Sequence, residues 1–435
     1  LLTLDGLRRY LTENLKGQDV PPDELGYFVE RLLVFLTSSD ERRFGQWENV
    51  SWWDFVGAAT RSPDYQKVLA AGLTRNLVAA KETLASTRTI GHMGEAFVYN
   101  LMGQGNDGAP DRVLDLPTNE AWISPWLAHL RSLGVTFVAD HGLAWYEMNR
   151  GEVAAVHLVD RAGRHYRHQS DWYVSAMPVE QARKHLRGDV RKADPSLAAL
   201  EQLRTDWMSG IQFYLKKPAK ITKGHITFID SPWALTALTQ AQFWTDRDFA
   251  KDYGDGTAVD SFSVDISNWD AKGMLFGKTA KECTRDEIAQ EVLAQVRYHH
   301  TAGDQLPDGI VDSWFLDPGI AWNATARRNT NATPLLVNTA GSWNNRPEVE
   351  TKIPNLLLAG DYVRTNIDLA TMEGANESGR KAANAILAKS GSKATPATLY
   401  TLWTNPALKP LQRADALLYK AGLPNALDVP VKGRY

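Results

Sequence analysis

Cysteine is nearly absent. With only Cys283 among 435 residues the chain can close no internal disulfide, which favours a reducing, cytoplasmic setting. No apolar run approaches the ~18 residues that a membrane-crossing helix needs, so a soluble protein or one resting on a membrane surface is expected. Neither charge sign is in excess: the formal net charge is -3, which argues against sequence-blind nucleic-acid binding. G-x-S-x-G, H-E-x-x-H and G-x-x-x-x-G-K-[ST] are all missing, so serine hydrolases, zinc proteases and P-loop NTPases lose their usual signatures. There is no internal repeat and no low-complexity tract. Sequons at Asn49, Asn323 and Asn331 are short enough to recur by chance, and nothing else resembles a secreted chain.

What is present is ordinary in bulk: 43% hydrophobic and 23% charged residues, enough for two or three domains, with aromatic surface supplied by 15 Trp. The chain opens on "LLTLDGLRRYLTENL", a helical pattern with no initiator Met, and this beginning reads as an internal position of a longer protein. Helical spacing continues to about Leu130 and stops at Gly134. Then the period changes. "VTFVAD", "LAWYEMN", "VAAVHLVD" and "HYRHQ" predict a β-meander, "DWYVSAMP" a strand stopping at Pro178, and "VEQARKHL" a helix. The segment from Pro195 to Pro334 is mixed, with strands in "GIQFYLKK" and "HITFID" and a helix in "RDEIAQEVLAQVRYHH". "NLLLAGD" is apolar throughout and predicts a strand of a parallel sheet, buried on both faces. One or two helices close the chain.

One literal G-x-G-x-x-G occurs, from Gly103 to Gly108, but it follows a helix rather than a strand and runs into Pro110, so it reads as a loop. His299 and His300 have no carboxylate or thiol at ligand spacing and read as a helix C-terminus, and no metal site is expected. The informative stretch is "LAGDYVRTNIDLATMEGA". Asp361 stands at the carboxyl end of the predicted buried strand, where open α/β sheets place ligand-binding residues, and an acceptor-only carboxylate there suits the hydroxyls of a sugar-like chain. Thr371 is a suitable N-cap for a helix whose expected inner face, Met372, Ala375, Gly379, Ala382 and Ile386, is nearly bare. Glu373, Glu377, Lys381 and Asn384 would form the outer face. Free amides at such a helix start would stabilise an anion or an electron-rich ring oxygen. The same shape also suits a strand-loop-helix packed by small residues with Asp361 capping the loop, and pattern alone leaves both readings open.

"NLLLAGDYVRTNIDLATMEGANESGRKAANAIL" resembles the C-terminal flavin-binding motif of the FAD-dependent carotenoid-desaturase branch of the amine-oxidase-like flavoproteins. Upstream, "GVTFVADHGLAWYEMNRGEVAAVHLVDRAGRHYRHQSDWYVSAMP" is similar to that family's meander and re-entrant strand, and the likeness spans about Leu116 to Leu387. The resemblance implies an α/β FAD-binding, Rossmann-like domain interleaved with a mixed α+β substrate domain. Its segments would be 1–133 (helical, substrate side), 134–187 (meander and re-entrant strand), 188–333 (substrate domain), 334–390 (C-terminal FAD segment) and 391–435 (helical extension). It implies FAD as cofactor, held by Gly360 and Asp361 at the ribityl-diphosphate portion, by Thr371, Met372 and Ala375 at the flavin pyrimidine, by Leu143 at the adenine and by Ala176 at the strand end. Arg364 and Asp368, in the loop beside the motif, are candidates for substrate contacts.

The reaction implied is hydride removal from an apolar, isoprenoid or polyene substrate. Amine oxidation, dehydroxylation of a squalene-like alcohol and a non-catalytic partner subunit are the alternatives. The family's N-terminal β-α-β fingerprint does not appear in this sequence. A preceding segment, a second chain, or loss of FAD binding would each account for that. The tail, with Trp403, Leu411, Leu417, Leu418 and Tyr419 among Lys409, Arg413 and Lys420, is expected to pack on the body or to touch a membrane or partner.

Overall fold

Apolar residues at helical spacing explain why the first part of the chain is helical. The computed structural model describes residues 6, 9, 19–72, 74, 75, 80–107 and 112–428, so most of the helix expected in the opening segment lies outside the described residues, as does Gly108 of the glycine fingerprint. Helix α1 (Pro22–Thr37) starts on a proline, which suits a position whose amide needs no partner. Ser39 caps α2 (Asp40–Gly45), and Ser86 caps α3 (Thr87–Leu101) by accepting from the Thr89 amide. Phe28, Phe35, Trp47, Trp52 and Phe55 form one core between these helices. Several of their rings meet edge to face, the arrangement their quadrupoles favour. Gly103 ends α3 at φ +67°, so residues 103–107 of the literal fingerprint are a helix cap and loop, as their context predicts. Helix α4 (Ser124–Ser132) ends at Gly134, φ +87°, where the Val135 amide donates to Leu130 O at 3.1 Å.

The strand expected at "VTFVAD" is not formed. Residues 135–139 are irregular, with Val135, Phe137 and Val138 exposed, because no neighbouring strand among the described residues supplies ladder partners. The meander begins instead at β1 (His141–Asn149), followed antiparallel by β2 (Glu152–Asp160) and β3 (His165–His168). Strand β4 (Tyr173–Ser175) then leads over Pro178 into α5 (Val179–His185).

Beyond these lies a second body. β5 (Arg204–Asp206) is followed by β6 (Ser209–Leu215), β7 (Ile226–Thr227), β8 (Leu235–Thr239), β9 (Asp260–Ile266) and, after α6 (Arg285–Arg297), β10 (Val311–Leu316). Five of them make a sheet in the order β10-β6-β9-β8-β7. Ile211, Phe213 and Leu215 alternate inward along β6 and pack with Phe262, Trp233 and the α6 residues Ile288, Val292 and Val296. "HITFID" shrinks to the two residues of β7, since Ser231 and Ala234 already donate back into a turn from Phe228 onward. His299 and His300 are not a shared helix end: α6 stops at Arg297, and His299 opens a separate short helix.

A hairpin of β11 (Ile320–Asn323) and β12 (Arg328–Asn331) and the short β13 (Leu335–Val337), paired with β5, return the chain to β14 (Leu356–Leu358). As the apolar run predicts, β14 is wholly buried and pairs in parallel with β4, Leu357 opposite Val174. Helix α7 (Met372–Lys389) follows, then α8 (Lys409–Lys420). No described helix is long and apolar enough to cross a membrane.

Candidate functional site

The site is built where β14 runs out. Beyond Leu358 the Ala359 amide still donates to Ser175 O, extending the parallel ladder by one bond. Gly360 then adopts φ +128°, open in practice only to glycine, and a Cβ there would stand 3.1 Å from the Tyr362 ring and 3.2 Å from Met177 O. Its amide donates to Ser378 Oγ of α7 at 2.8 Å, tying strand end to helix. The backbone therefore turns sharply at Gly360, close to Met177 O, and leaves Asp361 half-buried.

The loop from Asp361 to Thr371 is held from three sides. The Arg346 guanidinium donates to Asp361 O and Val363 O, each at 2.7 Å, and to Tyr362 O at 3.1 Å. Glu377 of α7 accepts from the Asn366 amide at 2.8 Å and from that of Ile367. Lys381 donates to Arg364 O at 2.9 Å. Also buried is Asp368, 1% exposed and at φ +50°, whose carboxylate pairs with both Arg346 and Arg88 of α3 and accepts from Thr89 Oγ1 at 2.7 Å. Arg88 is shared with the buried Glu48 at 2.9 Å. This corrects the expectation for Asp368 as a substrate contact: its oxygens are committed to the interior. Arg364 donates to Trp343 O at 3.0 Å and reaches Glu348 at 3.3 Å.

Thr371 is the N-cap of α7, accepting from the Gly374 amide at 3.2 Å, which leaves the Met372 and Glu373 amides free of intrahelical partners. The face of α7 expected to be buried is corrected in its first turns, while Ala382 and Ile386 pack on the core as expected. Gly374, Glu377, Ser378 and Ala382 turn inward, whereas Met372 is 59% exposed and Ala375 and Gly379 face outward with it. Glu377 and Ser378 decide this, because each satisfies a backbone amide of the preceding loop. Leu143 is half-buried in β1 opposite Leu158.

Two acids converge behind the strand end. Burial pushes the Asp361 carboxyl above its ordinary range, partly offset by Arg346. Glu180, at the start of α5, is raised first by burial and then by the nearby Asp361, and its Oε2 is buried without a hydrogen-bond partner. An orphaned acceptor beside a second acceptor calls for donors, and the hydroxyls of a polyol such as a ribityl chain match it, so the residues present fit that portion of FAD. Both groups are raised relative to the unfolded chain, so their contribution is favourable below the ordinary carboxylate range and is lost as pH rises through the folded pKa values. Glu180→Gln should therefore raise the melting temperature of the cofactor-free protein at pH ~8, with the gain vanishing near pH ~4. Melts showing the same difference at both pH values would count against this.

Two cavities reach the helix start, and both include Leu369 and Thr371 in their walls. One, of about 240 Å³, is lined by Ile90, Trp207, Met208 and Leu336; the other, of about 480 Å³, by His92, Phe97, Tyr99 and Trp403. A larger cavity of about 780 Å³ near Trp244 and Phe249 shares no wall residue with the helix start. Arg346, Arg88, Glu180 and Ser378 escape a reading of the sequence, since each acts on a residue far along the chain or across a packing interface.

Comparison with known proteins extends this geometry. The profile of the family described as "Flavin containing amine oxidoreductase" matches residues 143–387. A carotenoid phi-ring synthase of Streptomyces griseus is 28% identical over 187 residues, covering 38% of this chain and 32% of that protein. The chain thus spans about a third of the length of that curated relative. Among solved structures, a triple mutant of putrescine oxidase from a redesign of cofactor binding superimposes with TM-score 0.55 at 9% identity, over 90% of this chain and 77% of that one. Wild-type putrescine oxidase bound to putrescine gives TM-score 0.53 at 8% identity, over 89% and 76%. At such identities the likeness concerns the fold.

Proposed function

The chain belongs to the family of flavin-containing amine oxidoreductases, and from that membership we propose that it works as an FAD-dependent dehydrogenase or desaturase on an apolar, isoprenoid or polyene substrate. FAD, when bound, supplies the hydride acceptor. The chain's own part is to hold and orient. Asp361 and Glu180 would accept from the ribityl hydroxyls, Gly360 leaves room for the close approach, and the free amides at Met372 and Glu373 would favour negative charge at the ring edge. The observation that carries the substrate class is the cavity of about 240 Å³ that ends on Leu369–Thr371: Ile90, Trp207, Met208 and Leu336 form its apolar side, which would shield the reacting carbon from water. A hydride leaves one carbon for a correctly placed acceptor, and the double bond closes as the neighbouring carbon gives up a proton to a base, for which Asp206 in the same cavity wall is available. The carotenoid-modifying relative is consistent with an isoprenoid substrate.

A nucleotide-binding β-α-β unit, from a preceding segment or a second chain, is part of this proposal. Three features among the described residues favour it: β4 pairs on one edge only, residues 135–139 lack ladder partners, and the Met372, Ala375 and Gly379 face of α7 is bare. The test is the visible spectrum of the purified protein with added FAD, alone and with the product of the sequence upstream of Leu1. Oxidised-flavin bands that survive gel filtration are expected at least with the upstream product. A colourless protein in both preparations would sink the assignment.

A further inference from the structure

Helix α8 buries one side against α1 and α2 and leaves the other bare. Asp415 sets the buried side: its carboxylate accepts from Arg42 at 2.9 Å, the Ser39 amide at 2.8 Å and Asn425 Nδ2 at 2.9 Å. Gln412 donates to Leu36 O at 3.0 Å on the same side. At about 100° per residue, Leu417, Pro410, Ala421, Ala414 and Leu411 then fall on one continuous outward sector, and Lys409, Arg413 and Lys420 line one of its rims. Leu417 is 70% and Leu411 52% exposed, and Leu423 and Leu427 continue the apolar surface past the helix end.

The charges on this surface are one-sided. Asp415 is the only acid of the helix and it faces inward, so the outward face carries three cations and no carboxylate. Lys409 and Arg413 meet no carboxylate among the described residues, and Lys420 reaches only the exposed Glu41, at 3.7 Å. An apolar sector rimmed by unneutralised cations complements a layer with acyl chains inside and anionic groups at its edge. Just upstream, the same segment gives Leu402 and Trp403 to the wall of the 480 Å³ cavity, where Phe97 is itself exposed.

We propose that α8, with Leu423 and Leu427, rests on the surface of an anionic lipid bilayer, its leucines at the acyl boundary and its cationic rim among the headgroups. The inference stands apart from the flavin reading, and its test needs no flavin. The full chain is sedimented with vesicles of mixed phosphatidylglycerol and phosphatidylcholine, and with phosphatidylcholine alone. Binding to the anionic vesicles is expected, weakening as salt is raised. Leu411→Glu with Leu417→Glu should abolish it, and Lys409→Glu, Arg413→Glu and Lys420→Glu together should lower partitioning about tenfold or more.

Because the sole native thiol, Cys283, is buried, a Leu417→Cys variant labelled with a polarity-sensitive dye gives a second readout in an otherwise unchanged chain. Its emission should shift to the blue with anionic vesicles. Absence of binding to anionic vesicles, equal binding by the charge-reversed variant, or a dimer abolished by the Leu→Glu changes without any vesicle binding would each overturn the proposal.

Discussion

Asp368→Asn is expected to cost about 3–5 kcal/mol of stability, because it leaves a buried guanidinium without its counter-charge. The amide keeps the shape of the carboxylate, so packing is unchanged and the loss is electrostatic. Arg88 retains Glu48 as a partner, whereas Arg346 retains only the backbone carbonyls of residues 361–363. The uncompensated charge therefore falls on the residue that shapes the turn after Gly360. Urea unfolding of the wild type and variant measures the first effect, and a difference below about 1 kcal/mol would show that the network is not fully desolvated. Flavin retention measures the second. Arg346→Lys should mimic that second effect with a smaller loss of stability, since an ammonium can pair with Asp368 but cannot span three carbonyls in the plane of a guanidinium fork.

Asp361→Ala is expected to weaken FAD binding by about ten- to a hundredfold, the worth of the charged hydrogen bonds lost to the ribityl hydroxyls. The same change should leave the cofactor-free protein as stable or slightly more so, because burial already disfavours the ionised carboxyl. That opposition of signs separates a binding role from a structural one: a residue that merely capped the loop would lose stability and flavin together. Fluorescence titration with FAD, alongside melting curves, reads both quantities. Unchanged affinity would remove Asp361 from the cofactor site.

The legible part of the site was the part encoded locally. Strand, Gly-Asp turn, N-cap and helix follow one another within about 30 residues, and each has its own signature: a buried apolar run, a glycine, a threonine before a helical period. β14 is buried and parallel as its composition requires, and Thr371 caps α7 as its position requires. Two expectations drawn from the same local patterns did not hold, for reasons that lie elsewhere in the chain. Apolar alternation in residues 135–139 makes no strand, since a strand needs a partner's ladder of hydrogen bonds. Small size alone did not decide which side of the first turns of α7 is buried, because Glu377 and Ser378 are drawn inward by amides of the loop before them.

The sequence alone determined a mixed α/β chain with a strand, Gly-Asp turn and capped helix near its end, since secondary-structure period and capping chemistry act between near neighbours; that this unit is a flavin motif came from its resemblance to a family. Only the tertiary structure decided that Asp368 is a buried anchor rather than a substrate contact, that Arg346 organises the motif's carbonyls, and that α8 turns its leucines and cations outward together. Arg88 and Asp368 are 280 residues apart. No pattern along the chain announces such a pair, because it is desolvation in the packed interior, and not spacing, that makes the two charges choose each other.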